Sequence, residues 1–167
     1  MEKYSNNNNQ HGNFNANRSN YNHGGGNNRA SQPRSIERQQ DNYFFDTSKY
    51  KEEWIIKGVT KELVDYAKYA GKYMADNKLT NSKIRTIYGE IKRIQMSTFD
   101  KEESAFLLLK PKVAYALGRD ATNKGLQAFK KIFDLCSEKV TDQKSFQNFC
   151  NFMEAILAYH RAFGGKD

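Results

Sequence analysis

From Thr60 onward, apolar side chains recur at intervals of three and four residues, and no segment alternates convincingly with period two, so helices are the only regular structure that could bury them. Ile84, Ile87, Tyr88, Ile91 and Ile94 fall within one stripe of about 120°, the clearest amphipathic helix in the chain. Leu63, Tyr66, Ala67, Ala70, Tyr73 and Met74 repeat the spacing behind Thr60, with Gly71 weakening that helix slightly. Thr122 is expected to open a later helix with Leu126, Phe129, Ile132, Phe133 and Cys136 inward, and a short helix ending at Gly58 is expected to carry Trp54, Ile55 and Ile56.

Helix boundaries follow from side chains that can satisfy the orphan N–H groups of a first turn. Thr80 or Asn81, Asp100 and Asp142 are candidate caps. Pro111 suits a first turn, where its missing N–H is not needed, and predicts a kink or restart at Lys110–Pro111, with a helix running to Gly118. The last helix is expected to end at Gly164–Gly165. Short loops between these segments predict an all-α fold, a compact bundle of five to six helices with consecutive helices mostly antiparallel.

Residues 5–40 are dominated by Asn, Gly, Ser, Gln and Arg and offer almost no aliphatic surface to offset ordering entropy. The chain is therefore divided into a disordered Asn/Gly-rich arm, residues 1–42, and a helical domain, residues 43–167. The arm carries His11, Phe14, Tyr21 and His23 among Arg18, Arg29, Arg34 and Arg38. That pattern is open to RNA contact by stacking and charge, or to a solvated tail. Five basic against three acidic residues give the arm a net +2, which leaves +6 of the total +8 on the helical domain. Such an excess suits a polyanion without choosing which one.

Chemistry finds few candidates. Cys136 and Cys150 lack a CxxC spacing and lie on apolar faces, as buried free thiols do. His160 shares a helix face with Phe149, Met153 and Ile156 and is expected to be a packed histidine and not a general base. No phosphate-cradling loop, nucleophile elbow or metal-ligand spacing occurs, so no enzyme activity, metal or cofactor is expected. No apolar run approaches the roughly 20 residues needed to span a bilayer, and the expectation is a cytoplasmic chain.

Basic residues do show spacing. Lys78, Arg85 and Lys92 lie seven apart along one edge of an apolar stripe, and Lys112 and Arg119 repeat that interval with Tyr115 on the same side. A cation row with an aromatic ring suits a nucleic-acid backbone, and it equally suits an ordinary solvated helix face. In the closing helix, Phe146, Phe149, Met153, Ile156 and Leu157, widened by Phe152, Tyr159 and Phe163, cover nearly half the circumference. A central helix wrapped by several others, or a protein-protein surface, would each account for that width.

Three stretches carry a resemblance: Lys78 to Ile94 with its KIRTIY core, Leu107 to Arg119 reading LLLKPKVAYALGR, and Phe149 to Lys166 reading FCNFMEAILAYHRAFGGK. In that order, across Leu63 to Lys166, the chain resembles the small subunit of type III-A CRISPR effector complexes, the Csm type. The arm has no counterpart in that pattern. The resemblance implies a non-catalytic helical subunit that stacks in several copies beside the backbone subunits and the large polymerase-like subunit, contacting guide and target RNA without reading sequence. By position, it puts Lys83, Arg85, Lys110, Lys112 and Arg119 at the RNA, with Lys78, Lys92 and Arg93 as lesser additions. Spacing selects Arg85, Lys112, Tyr115 and Arg119 independently, whereas Lys83 rests on resemblance alone. The competing expectation is a free-standing helical nucleic-acid-binding or adaptor protein.

Overall fold

Thr60 opens the first long helix by accepting a hydrogen bond from the Leu63 amide at 3.2 Å. In the computed structural model, which describes residues 45–165, this helix is α2 (Lys61–Asp76), preceded by the single turn α1 (Glu53–Ile56). It is followed by α3 (Asn81–Gln95), α4 (Phe99–Leu107), α5 (Leu109–Arg119), α6 (Lys124–Ser137) and α7 (Gln143–Ala162). The described residues contain no strand, and their six longer helices and one single-turn helix form the expected all-α bundle. The arm expected over residues 1–42 lies outside the described residues.

Several boundaries differ from the sequence expectation for local reasons. Thr98, not Asp100, precedes α4, and Asp100 sits in its first turn, where a carboxylate complements the helix dipole. Asn123, not Thr122, caps α6, its Oδ1 accepting from the Leu126 amide at 2.8 Å. The restart between α4 and α5 falls at Leu108, ahead of Lys110–Pro111, because the ring of a helical proline clashes with the carbonyl four residues back, here that of Leu107. Asp142 builds a full capping box with Ser145, as the last helix requires.

The helix faces bury as their periods demand. Ile84, Ile87, Ile91 and Ile94 are all buried, with Tyr88 of the same stripe only partly so, and Leu126, Phe129, Ile132, Phe133 and Cys136 are buried as well. The wide apolar face of α7 is spent inside the molecule, since α7 packs against α1, α2, α3 and α4. Phe146 and Phe149 meet Phe106 edge-on with ring centroids 5.4 and 5.3 Å away, and Phe149 meets Phe133 at 5.5 Å. Edge-to-face pairs of this kind add about 0.5–1.5 kcal/mol each beyond area burial.

The α2–α7 pair is the most extensive helix contact, and it is parallel. Tyr66 near the start of α2 meets Phe152, while Gly71 further along meets Ile156, Tyr159 and His160. Consecutive helices are not its source, so the antiparallel expectation did not foresee it. A Cβ on Gly71 would lie 2.7 Å from both the His160 nitrogen and the Ile156 carbonyl oxygen. These are backbone atoms, so glycine is what lets the two axes approach. Gly71→Ala is therefore expected to cost about 1–3 kcal/mol by forcing the pair apart. Gly89→Ala, with nothing within 4 Å of its added methyl, should instead add about 0.5–1 kcal/mol of helix stability. Urea unfolding of both variants checks this, and equal shifts for the two would contradict it.

Candidate nucleic-acid interface

Two helix ends fix the region where the basic residues gather. At the end of α2, the Leu79 amide bonds the Met74 carbonyl at 3.0 Å and the Lys78 amide bonds the Ala75 carbonyl at 3.2 Å, a Schellman closure. Its left-handed position, normally glycine, is occupied by Lys78 at φ 63°. The end of α7 closes the same way around Gly164, at φ 85°. The two ends are joined by His160, which is fully buried and whose Nε2 lies 2.8 Å from the Leu79 carbonyl oxygen. Its Nδ1 has no partner, and a Cβ on Gly165 would lie 2.4 Å from that nitrogen. The ring is a structural fastener closed on every side.

The same corner receives the start of α6. Asn123 Nδ2 donates to the Lys78 carbonyl at 3.1 Å, and Gly125 packs so closely that a Cβ would lie 2.8 Å from the Met74 oxygen. α3 leaves this corner with Lys83 in its first turn, and α5 runs antiparallel beside it. Lys83 pairs with Asp120 at the far end of α5, while Lys112, near its start, lies 3.5 Å from Glu90. The neighbouring lysine holds each carboxyl below its ordinary range, through a hydrogen bond from Lys83 at Asp120 and chiefly through the charge of Lys112 at Glu90.

Between α3 and α5 lies a groove of about 730 Å³. Ile87, Ala116 and Leu126 supply its apolar part, and Lys83, Lys112, Tyr115 and Arg119 stand with Asp120 around it. Tyr115 is 70% exposed, and the Arg119 guanidinium lies over its ring at 6.0 Å from the centroid. A second depression, of about 530 Å³, shares Lys83 and Asp120 with the groove and adds Lys78, Lys124 and Asp76.

The basic residues singled out by sequence thus separate into groups. Lys83, Lys112, Tyr115 and Arg119 converge on the groove, with Lys78 in the adjoining depression. Arg85 is exposed on α3 but does not line the groove. Lys92 bridges to Glu154 on α7 at 2.8 Å, Arg93 binds Glu102 on α4 at 2.9 Å and also faces Glu90, and Lys110 lies 3.4 Å from Glu138. Those three cations link helices of the bundle. Sequence spacing missed Lys124, whose place in the depression follows only from the packing of α6 onto the α2–α3 corner.

Cys136 and Cys150 are buried and free. Burial pushes the Cys136 thiol up and the Cys150 thiol up to about 12, away from nucleophilic thiolate. Among the described residues, no three His, Cys, Asp or Glu side chains are grouped to hold a metal, and no helix is long and apolar enough to cross a membrane.

Fold and surface together define an all-helical domain with a cation-lined groove at one helix pair. The family model described as Csm2 Type III-A matches residues 57–166, and the chain belongs to that family. It is also similar to the "CRISPR system Cms protein Csm2" of Streptococcus thermophilus, with 32% identity over 100 residues, covering 55% of this chain and 82% of the relative. No solved structure matches the chain. The three sequence stretches that carried the resemblance lie within the matched span.

A lysine in the left-handed region costs about 1–2 kcal/mol that glycine does not. Lys78→Gly is accordingly expected to raise the thermal midpoint, by roughly 1 kcal/mol of added stability. A lowered midpoint in a melting experiment would count against this closure of α2.

Proposed function

We propose that this chain is the non-catalytic small subunit of a type III-A CRISPR RNA-guided complex, acting in the cytoplasm in antiviral defence. In this role the helical domain, residues 43–167, lies along the guide and target RNA and assembles in several copies with the backbone and large polymerase-like subunits. Membership in the Csm2 Type III-A family supports the setting. The observation that carries the RNA contact is the convergence of Lys83, Lys112 and Arg119 on one groove, whose lining holds Asp120 while Glu90 meets Lys112 from beside it.

Each cation that neutralises a phosphate releases condensed counterions, which gives affinity without sequence readout. Asp120 and Glu90 occupy two of these lysines in the isolated chain, in the way phosphate oxygens would. An arriving backbone exchanges one anion for another, so the lysines are not left to order themselves on binding. Exposed apolar side chains support the assembly part of the proposal: Met96, at the end of α3, is 90% exposed, and Leu107 and Leu108, at the α4–α5 corner, are each 59% exposed. The enclosure of His160 supports a subunit whose histidine serves packing.

Replacing Lys112 and Arg119 together by glutamate is expected to weaken binding of unrelated RNA sequences alike. The slope of log affinity against log salt should flatten by roughly 0.7 for each single-strand phosphate that the variant no longer neutralises. Asp120→Asn should act in the opposite direction, because Lys83 then loses its internal competitor. Salt titrations of RNA binding by the full chain provide the check. Unchanged affinity and slope in the double variant would refute the RNA-facing role of this groove.

A further inference from the structure

The groove between α3 and α5 has more in it than a phosphate-binding stripe requires. Phosphates need cations and water, yet here the cations surround apolar surface from Pro111 and Ala116, with Ile87 and Leu126 buried beneath it. At its edge stands a large aromatic side chain that the fold leaves 70% exposed. The Arg119 guanidinium lies over the Tyr115 ring, 6.0 Å from its centroid, and most of the side chain is open to solvent. A volume of about 730 Å³ falls within the roughly 300–1,000 Å³ typical of pockets for small organic ligands.

We infer that the groove takes one unpaired nucleotide of an RNA strand, with the base stacked on Tyr115 over the apolar surface and the phosphates held by Lys83 and Lys112. This rests on the proposed RNA-facing role and adds that a base, not only the backbone, is bound. A flat π-surface stacks on an aromatic ring whatever its identity, so the contact adds affinity while staying tolerant of sequence. The Ser82 and Thr86 hydroxyls at the groove can each donate or accept, so they can meet the edge of any base without preferring one. The strand can continue toward Lys78 and Lys124, because the adjoining depression shares Lys83.

Charge favours this occupant over an apolar segment of a partner protein, which would bury two lysine–carboxylate pairs together with Arg119. A regular duplex is a poor fit, since its bases stay stacked inside the helix and offer side chains only edges and backbone.

The test compares binding by the full chain, at one salt concentration, of a mixed-sequence single-stranded oligoribonucleotide and of a ribose-phosphate strand of equal length without bases. The native chain is expected to bind the base-bearing strand roughly tenfold more tightly. Tyr115→Ala should abolish that preference and Tyr115→Phe should keep it, while Lys112→Glu weakens both strands alike. The exposure of Tyr115 means that neither substitution at this position removes core packing. Equal binding of the two strands by the native chain, or a preference that survives Tyr115→Ala, would overturn the base contact alone. Failure of the native chain to bind either strand would overturn the RNA-facing role and this inference with it.

Discussion

The approach of α2 to α7 at Gly71 is the constraint on which the remaining geometry depends. Backbone atoms of the two helices come so near there that a single methyl would lie 2.7 Å from a nitrogen and an oxygen of α7. Because the pair is parallel, contact at Gly71 also brings the two C-terminal ends side by side. His160 then spans from the last turn of α7 to the Leu79 carbonyl, and its burial removes water as a competitor for that hydrogen bond. The point at which α3 departs is fixed by this fastening. Lys83, two residues past the first residue of α3, is thereby aimed at the end of α5, and the groove is a consequence of packing some distance from it.

Rigidity at the groove has a further electrostatic consequence. A lysine on an isolated helix samples many rotamers, and fixing it on a ligand costs conformational entropy. Here Asp120 and Glu90 already hold Lys83 and Lys112 across the α3–α5 seam. The pairs are partly exposed, where an ion pair adds little to stability, so their larger effect is on positioning. Lys92, Arg93 and Lys110 meet partners on other helices in a similar way, but away from the groove, where the pairing ties α3 to α4 and α7, and α5 to α6.

Periodicity made the helix faces legible, because burial on a single helix depends only on the angle between successive side chains. Ile84 through Ile94 and Leu126 through Cys136 were read correctly for that reason. What one helix cannot reveal is which flank of its stripe meets a neighbour. Along α3, spacing favoured Arg85, while the placement of α5 gives the groove to Lys83, which only family resemblance had singled out. Gly71 read as a weak point in a helix, since its worth lies in α7, eighty-five residues further on at Ile156. Lys78 concealed a Schellman end because the usual glycine is missing, and the two apolar readings of α7 could be separated only when four helices were seen around it.

A surface built this way distinguishes its ligands by kind and not by order of bases. Lys83, Lys112 and Arg119 present charge, which every phosphate answers, and Tyr115 presents a ring face, which every base answers. Neither tests the edge pattern by which one base differs from another. In the proposed RNA-guided setting, sequence would be read by pairing between guide and target, so a subunit lying beside the strands gains nothing from a second, independent preference. A sequence-reading side chain would discriminate against some targets that the guide had already accepted. Under that proposal, tolerance of sequence is a requirement on the groove, and lysines paired to internal carboxylates beside an exposed tyrosine would meet it.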